Sequence, residues 1–260
     1  MTQRIVCHIL LSLSLFSVLS QAADKAASDP KATALVLKSE QNTMGDSLQA
    51  TVTMNIQRGS TQRDLKFKIS QFKREKALVK VLEPRKDRDT GSLRLGLGLW
   101  SYLPNINRVV RIPPSMMLQS WMGSDFTNDD LVKTSSLSRD YTHHIEGTDK
   151  VDGQAVTKIA CDPKPDAPVV WGKVRLWVRT ADGVPLRQEF FSEHGELLKV
   201  MNGTVIKTVG KHTLPTTLTM TVPKKPGDQT SMHFDGIIFD ASIEDSVFSQ
   251  ENLRRAASGG

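Results

Sequence analysis

Apolar and polar side chains alternate strictly in the sequence ATVTMNIQ at residues 50–57, and they alternate again in LKFKIS at residues 65–70. Successive side chains of a strand point to opposite faces, so this pattern is typical of a half-buried strand. The inward face is predicted to carry Val52, Met54, Leu65, Phe67, Val79 and Val81. The face toward solvent is predicted to carry Thr51, Thr53, Lys66, Lys68 and Lys80, because a slip of one residue would bury a row of lysines.

Glycine-containing dipeptides separate this pair of strands and the further strand-like runs along the chain. They are Arg58-Gly59, Asp152-Gly153, Asp182-Gly183, His194-Gly195 and Asn202-Gly203. Glycine, Asn and Asp adopt the positive φ that tight antiparallel turns require, so each dipeptide predicts a hairpin. A succession of adjacent hairpins predicts an antiparallel meander that closes as a barrel or curls around something.

One helix is predicted before the first strand. Asp29 can cap it, Pro30 suits the first helical position, and Gly45 ends it. Apolar residues spaced along it, among them Ala32 and Val36, form a stripe that would pack on the sheet. The chain is thus expected to be mainly β with a few helices.

The first residues predict export. Arg4 precedes an apolar run, and Ser20-Gln21-Ala22 supplies small residues for cleavage after Ala22. We therefore interpret residues 1–22 as a secretory signal peptide, too short in its apolar core to span a membrane, and residues 24–256 as a single domain. Cleavage removes Cys7 and leaves only Cys161, so no intramolecular disulfide can form, which favours a bacterial periplasm.

The charge balance argues against nucleic acid as a partner. Without Arg4, 33 Lys and Arg face 28 Asp and Glu, a net charge of +5 on the mature chain. The two signs alternate along the sequence, whereas a nucleic-acid-binding protein is expected to carry a dense basic stripe. The basic residues between Lys66 and Lys80 are interpreted as a solvated strand face, with weak attraction to an anionic membrane as the alternative.

Recognisable catalytic chemistry is missing from the sequence. The chain has no phosphate-binding glycine loop, no HExxH, no GxSxG and no paired cysteines, so we expect neither an enzyme nor a metal or cofactor site. Strand neighbours point to opposite faces, so His143 and His144 cannot easily ligate one metal, and the pair is predicted to face solvent instead. Cys161 is predicted to be a small core residue. Acidic residues such as Asp125, Asp129 and Asp130 are interpreted as helix caps, with a short helix starting near Thr127.

The middle of the chain, from Pro104 to Leu131, breaks the alternation. Within it, Met116 to Phe126 holds three Met, one Trp and one Phe, a soft apolar surface. This segment either plugs the mouth of the sheet or forms a lid whose inner face touches a ligand. A plug that swings out is also a lid, so the two interpretations are compatible.

Four short motifs follow one another in and before the middle region, namely TGSL at residues 90–93, LWSYLP at 99–104, RVVRI at 108–112 and WMGSDF at 121–126. In this succession the chain resembles the outer-membrane lipoprotein-sorting-like proteins of the LolA superfamily. The resemblance implies a curved antiparallel sheet of about eleven strands, an unclosed half-barrel whose concave face is covered by helices. It also implies an apolar hollow for acyl chains, no catalytic residues, and an inner-membrane lipid exporter of the resistance-nodulation-division type as a partner.

Two functions follow from these observations. The first is a periplasmic carrier, monomeric when free, that binds lipid or lipoprotein acyl chains for transfer to or from the outer membrane. The second is an accessory subunit of an envelope lipid-export complex that carries nothing. For the carrier, the hollow or lid is predicted to include Trp100, Leu103, Met116, Met117, Leu118, Trp121, Met122 and Phe126. Arg108 and Arg111 are predicted to act as a lid latch or to contact a head group, with two surface arginines on an edge strand as the alternative.

Overall fold

The computed structural model describes residues 27–132 and 136–255, so the predicted signal peptide, residues 1–22, lies outside the described residues. Helices are α1 (Pro30–Met44), α2 (Asn128–Val132), α3 (Leu137–Asp140) and α4 (Gln250–Arg254). Strands are β1 (Ser47–Arg58), β2 (Thr61–Phe72), β3 (Lys76–Glu83), β4 (Gly91–Leu95), β5 (Gly98–Leu103), β6 (Arg108–Ile112), β7 (Tyr141–Val151), β8 (Gln154–Pro163), β9 (Lys173–Arg179), β10 (Pro185–Phe191), β11 (Leu197–Val209), β12 (His212–Thr221) and β13 (Gln229–Phe239). No helix within the described ranges is long and apolar enough to cross a membrane.

One antiparallel sheet contains every strand, in the order β6-β5-β4-β3-β2-β1-β13-β12-β11-β10-β9-β8-β7. The sheet is unclosed, because β6 and β7 stand at its two ends. It has thirteen strands rather than the eleven that the resemblance implied. The region after Pro104, where the alternation breaks, still supplies the edge strand β6, which pairs with β5.

The predicted alternation in β1 to β3 is confirmed for the inward residues, all six of which are at most 1% exposed. Lys66 and Lys68 are exposed, and their register places them opposite Thr53 and Thr51. The prediction for Lys80 is wrong, because this residue is buried. Its ammonium group donates to the carbonyl oxygens of Asn252, at 2.9 Å, and Arg255, since the C-terminal segment covers the outer face of the sheet there.

Four of the five predicted turns are confirmed. Asp152 and Gly153, with φ of 49° and 76°, join β7 to β8 as a two-residue turn of the kind that hairpins favour. The prediction for Asn202-Gly203 is wrong, because both residues lie inside β11. Gly203 is needed there for a different reason: a Cβ would come within 2.7 Å of Cγ of Pro215 in the neighbouring strand.

Helix α1 begins and ends as predicted. The Asp29 carboxylate accepts hydrogen bonds from the backbone N–H groups of Lys31 and Ala32, and Gly45 follows the last residue. The helix contacts β7, β9, β12 and α3, so it crosses over the face of the sheet that carries the inward residues, which we call the concave face. His212 fixes the C-terminal end, with Nδ1 2.8 Å from the Gln41 carbonyl oxygen.

Apolar side chains pack on both faces of the sheet. The concave face holds the main core, which includes Val36 of α1, Met54, Phe67 and Leu176. The opposite, convex face of β3 to β6 holds a second cluster, built on Leu78, Leu93 and Tyr102. Phe248 and Leu253 of the C-terminal segment cover this second cluster.

Candidate functional site

A cavity of about 170 Å³ lies in the main core, between the concave face and the elements that cross it. Residues from β1, β2, β7 and β9 to β13 form most of its walls, and α1, α2 and α3 contribute others. Arg74, Phe126 and Trp171 reach the cavity from the connecting segments. Most of the lining side chains are apolar, among them Leu48, Val52, Phe67, Ile69, Phe126, Leu131, Trp171, Val174, Phe190, Met201, Leu214, Leu218, Met220, Met232 and Phe234.

The size of this cavity sets what it can hold. Engineered apolar cavities of about 150 Å³ remain dry and bind benzene or xenon. The cavity as it stands therefore takes a segment of about six carbon atoms. Four methionines in its wall have flexible side chains that can repack around ligands of different shape, namely Met44, Met201, Met220 and Met232.

A polar cluster lies where α1, α3 and the turn after β2 meet at the cavity. Arg74 and Glu40 form an ion pair at 3.2 Å, and the Ser136 hydroxyl donates to the same carboxylate. Burial is the main cause that lowers the pKa of Arg74, and it lowers the pKa of Arg94 nearby to about 10. Because Glu40 and Asp129 stand beside these arginines, the cluster offers no excess of positive charge for an anionic head group.

Tyr141 is a polar residue in the otherwise apolar part of the wall. Its side chain is fully buried, and its hydroxyl has no hydrogen-bond partner among the described residues. Burial, followed by the nearby charges of Asp129 and Cys161, raises the pKa of this hydroxyl. The hydroxyl is therefore a protonated donor at neutral pH.

The Met- and Trp-rich segment closes the concave face beside the cavity. Trp121 is 5% exposed, and its ring meets Phe67 edge-on at 5.2 Å. The indole N–H donates to the Ser92 hydroxyl at 3.3 Å. Phe126 is also buried and belongs to the same core. The segment also folds back on itself, since the backbone N–H of Trp121 donates to the backbone carbonyl oxygen of Phe126.

An ion pair holds this segment to the hairpin between β1 and β2. The Arg58 guanidinium donates to both carboxylate oxygens of Asp125, at 2.9 and 3.1 Å, and the Thr230 hydroxyl donates to the same carboxylate at 2.7 Å. Arg63 donates to the Met122 carbonyl oxygen at 3.0 Å. The interpretation of Asp125 as a helix cap is therefore wrong.

Helix capping is confirmed for Asp130. Its carboxylate accepts from the Thr127 N–H at 2.9 Å, and its own N–H donates to the Thr127 hydroxyl at 3.1 Å, immediately before α2. The pairing of Arg58 with Asp125 was missed because 67 residues separate the partners, and no local pattern reports a contact over that distance.

The structure brings only part of the predicted hollow together. Of the eight residues, Phe126 lines the cavity and Trp121 lies in the core beside it. Trp100 packs with the convex cluster, whereas Met117 packs with Leu99 and Ile112 near the β6 edge. The other four are exposed or half-buried, namely Leu103, Met116, Leu118 and Met122.

Arg108 and Arg111 lie on the edge strand β6, where both are exposed. Their spacing of three residues places them on opposite faces of the strand. Neither forms an ion pair or a side-chain hydrogen bond within residues 27–132 and 136–255. In this structure the Met- and Trp-rich segment is held by Arg58 and Arg63 instead.

The prediction that the histidine pair faces solvent is wrong for His143, which is 1% exposed between α1 and α3. Its Nε2 lies 2.8 Å from the Leu137 carbonyl oxygen, and its Nδ1 lies 2.9 Å from the Thr33 hydroxyl. Cys161 is a core residue, as predicted, and burial raises the pKa of its thiol. The described part of the chain contains no group of three His, Cys, Asp or Glu side chains placed to hold a metal ion.

Comparison with known proteins identifies the family of the chain. A family model described as uncharacterized protein-like matches residues 73–255, well over half of the chain. No curated protein matches the chain.

Solved structures match almost the whole of the described chain. A DUF1329 family protein from Desulfovibrio piger has a TM-score of 0.79 at 21% identity, over 88% of this chain and 100% of its own. A putative outer membrane lipoprotein-sorting protein domain from Vibrio parahaemolyticus has a TM-score of 0.76 at 23% identity, over 86% and 99% of the two chains. A LolA superfamily protein from Nitrosomonas europaea has a TM-score of 0.73 at 20% identity, over 87% and 100%. These likenesses confirm the fold that the sequence resemblance implied.

Proposed function

We propose that this protein is a carrier of acyl chains. The chain belongs to the uncharacterized protein-like family, whose model matches residues 73–255, and it has the LolA-superfamily fold. In this proposal, the cavity on the concave face receives the acyl chain of a lipid or lipoprotein. The observation that carries the proposal is the cavity itself, which is apolar, lies inside the main core and is partly walled by methionines.

The energetics favour this kind of ligand. Each buried methylene contributes about 0.8 kcal/mol, so about six carbons contribute roughly 5 kcal/mol before the entropy of association is subtracted. Such binding is weak, and a longer chain needs more room than the cavity offers. We propose that the segment from Met116 to Phe126 moves to provide it, and that the pairing of Arg58 with Asp125 holds that segment in the closed form.

The place of action in this proposal is the periplasm, reached through the signal peptide at residues 1–22. The carrier is monomeric when free, and an inner-membrane lipid exporter of the resistance-nodulation-division type is its partner. The exposed arginines Arg108 and Arg111 remain available for contact with a head group or with that partner.

A test uses dansyl-labelled undecanoic acid and the mature protein. The probe is expected to bind with enhanced fluorescence. Leu218→Trp fills the cavity from β12 and should weaken binding at least tenfold, or about 1.4 kcal/mol. Thr219→Trp is the matched control, because the adjacent side chain points to the other face of the same strand and should leave the affinity unchanged.

Native mass spectrometry of protein released gently from the periplasm completes the test. Carried lipid would appear as added mass on the parent protein and would be lost in Leu218→Trp. Protein with no added mass, and with no affinity for the probe, would contradict the carrier and favour a non-carrying accessory subunit.

A further inference from the structure

Tyr141 stands out among the residues of the cavity wall because a hydrogen-bonding group is buried there without a partner. The protein contains two tyrosines. The Tyr102 hydroxyl, on the convex face, donates to the Asn107 side-chain oxygen at 3.1 Å. The Tyr141 hydroxyl has no hydrogen-bond partner in the described part of the chain, although its residue is 0% exposed.

An unpartnered buried hydroxyl is uncommon, because a polar group that has left water without gaining a hydrogen bond lowers stability. A phenylalanine would fill the same space without that cost. The position next to the cavity supplies a reason for the hydroxyl, since a ligand in the cavity could provide the missing acceptor.

The charges around Tyr141 indicate which kind of acceptor group the ligand supplies. Asp129 and Asp140 lie near the phenol. Asp140 forms an ion pair with Arg139 at 2.7 Å, and Asp129 lies beside Arg94, so the site has no excess of positive charge to balance an anionic carboxylate or phosphate. A neutral carbonyl oxygen accepts a hydrogen bond without needing such a counterion.

We propose that Tyr141 is the polar anchor of the cavity and that its hydroxyl donates to the carbonyl oxygen of an acyl ester. This proposal rests on the proposed carrier function and narrows it to esterified acyl chains, in which the carbonyl lies at the cavity wall. The hydroxyl thereby distinguishes an acyl ester from a plain hydrocarbon of similar size.

The experiment compares two ligands and two matched variants. Diphenylhexatriene is a fluorescent hydrocarbon with no polar atom, and methyl dodecanoate displaces it as the ester. In Tyr141→Phe the affinity for methyl dodecanoate should fall about fivefold to tenfold, the size of one ordinary hydrogen bond, while the affinity for diphenylhexatriene stays unchanged. In Tyr102→Phe, which removes the hydroxyl on the convex face, both affinities should equal those of the parent protein.

The outcomes separate this inference from the carrier function. If the parent binds both ligands and Tyr141→Phe binds the ester as tightly as the parent does, the anchor is wrong and the carrier stands. If the parent binds diphenylhexatriene but not the ester, the anchor is again wrong. If the parent binds neither ligand, the carrier function fails and the anchor fails with it.

A measurement on the parent protein avoids dependence on the folding of the variant. With tyrosine labelled by ¹³C at Cζ, methyl dodecanoate should shift the Tyr141 resonance and leave that of Tyr102 in place. An unshifted Tyr141 resonance at saturating ester would overturn the anchor.

Discussion

Both faces of the sheet carry apolar clusters, but within residues 27–132 and 136–255 the two are covered differently, closely on the convex face and over a cavity on the concave face. On the convex face, Phe248 and Leu253 from the C-terminal segment lie directly on the strands. The fit is so close that a Cβ on Gly91 would come within 2.7 Å of the Leu253 side chain. On the concave face, α1 crosses the sheet and leaves about 170 Å³ unfilled.

The difference follows from the length of the covering helix. On the convex face the cover includes only the five-residue helix α4, which can lie directly on the strands, whereas the fifteen-residue helix α1 is a stiff cylinder about 10 Å across that spans a curved sheet. The unfilled space therefore lies between α1 and the concave face. Empty apolar space lowers stability, so its persistence on one face is consistent with a role in binding.

The largest expected effect comes from breaking the closure of the concave face at Trp121. We expect Trp121→Asp to lower the free energy of unfolding by about 4 kcal/mol or more, because it removes a large buried ring and places a carboxylate among apolar groups. Denaturant unfolding measures the change. Leu118→Asp, in the exposed part of the same segment, is the control and should change stability by less than about 0.5 kcal/mol.

Retention of the parent stability in Trp121→Asp, with weaker binding of the acyl probe, would contradict this expectation. The burial of Trp121 would then contribute little to the fold, and the movement proposed for the segment would cost little free energy.

An intermediate effect should distinguish the two faces directly. Leu253→Ala, on the tightly packed convex face, should cost about 3 kcal/mol in unfolding free energy. Leu214→Ala, which is also buried but lines the cavity, should cost about 2 kcal/mol, because its side chain has fewer neighbours to lose. The measurement is denaturant unfolding of both variants under one condition. Equal losses would mean that the cavity does not weaken the packing around Leu214.

Local patterns in the sequence predicted the parts of the fold that depend on neighbours along the chain. Helix α1 was predicted because its cap, Asp29, and its terminal Gly45 are next to it in sequence. The inward face of β1 and β2 was predicted because a period of two reports directly on burial. The exception is Lys80, whose burial depends on carbonyl groups 172 and 175 residues away.

The candidate site was harder to predict because its parts come together only in three dimensions. The cavity collects residues from three helices and from eight strands, and the alternation marks only some of them, such as Val52 and Phe67, as inward-facing. The predicted hollow or lid included Trp121 and Phe126, which are buried in the main core. It also included Leu103 and Leu118, which are exposed. Tyr141 carried no signal, since an unpartnered hydroxyl is a property of the folded chain alone.

The smallest expected effect is a selective weakening of the concave cover in acid. Burial is the main cause that lowers the pKa of His143, which lies between α1 and α3. A histidine whose pKa is lowered in the folded state binds fewer protons there than in the unfolded chain. The contribution of His143 to stability is therefore complete above the ordinary histidine pKa of 6.5, and it is lost as the pH falls from there toward the pKa of His143 in the folded state.

The free energy of unfolding of the parent should change more between about pH 7.5 and about pH 5 than that of His143→Gln does. His194→Gln, in the exposed turn before β11, should retain the difference of the parent. The same difference in all three proteins would exclude His143 as the source of the acid sensitivity.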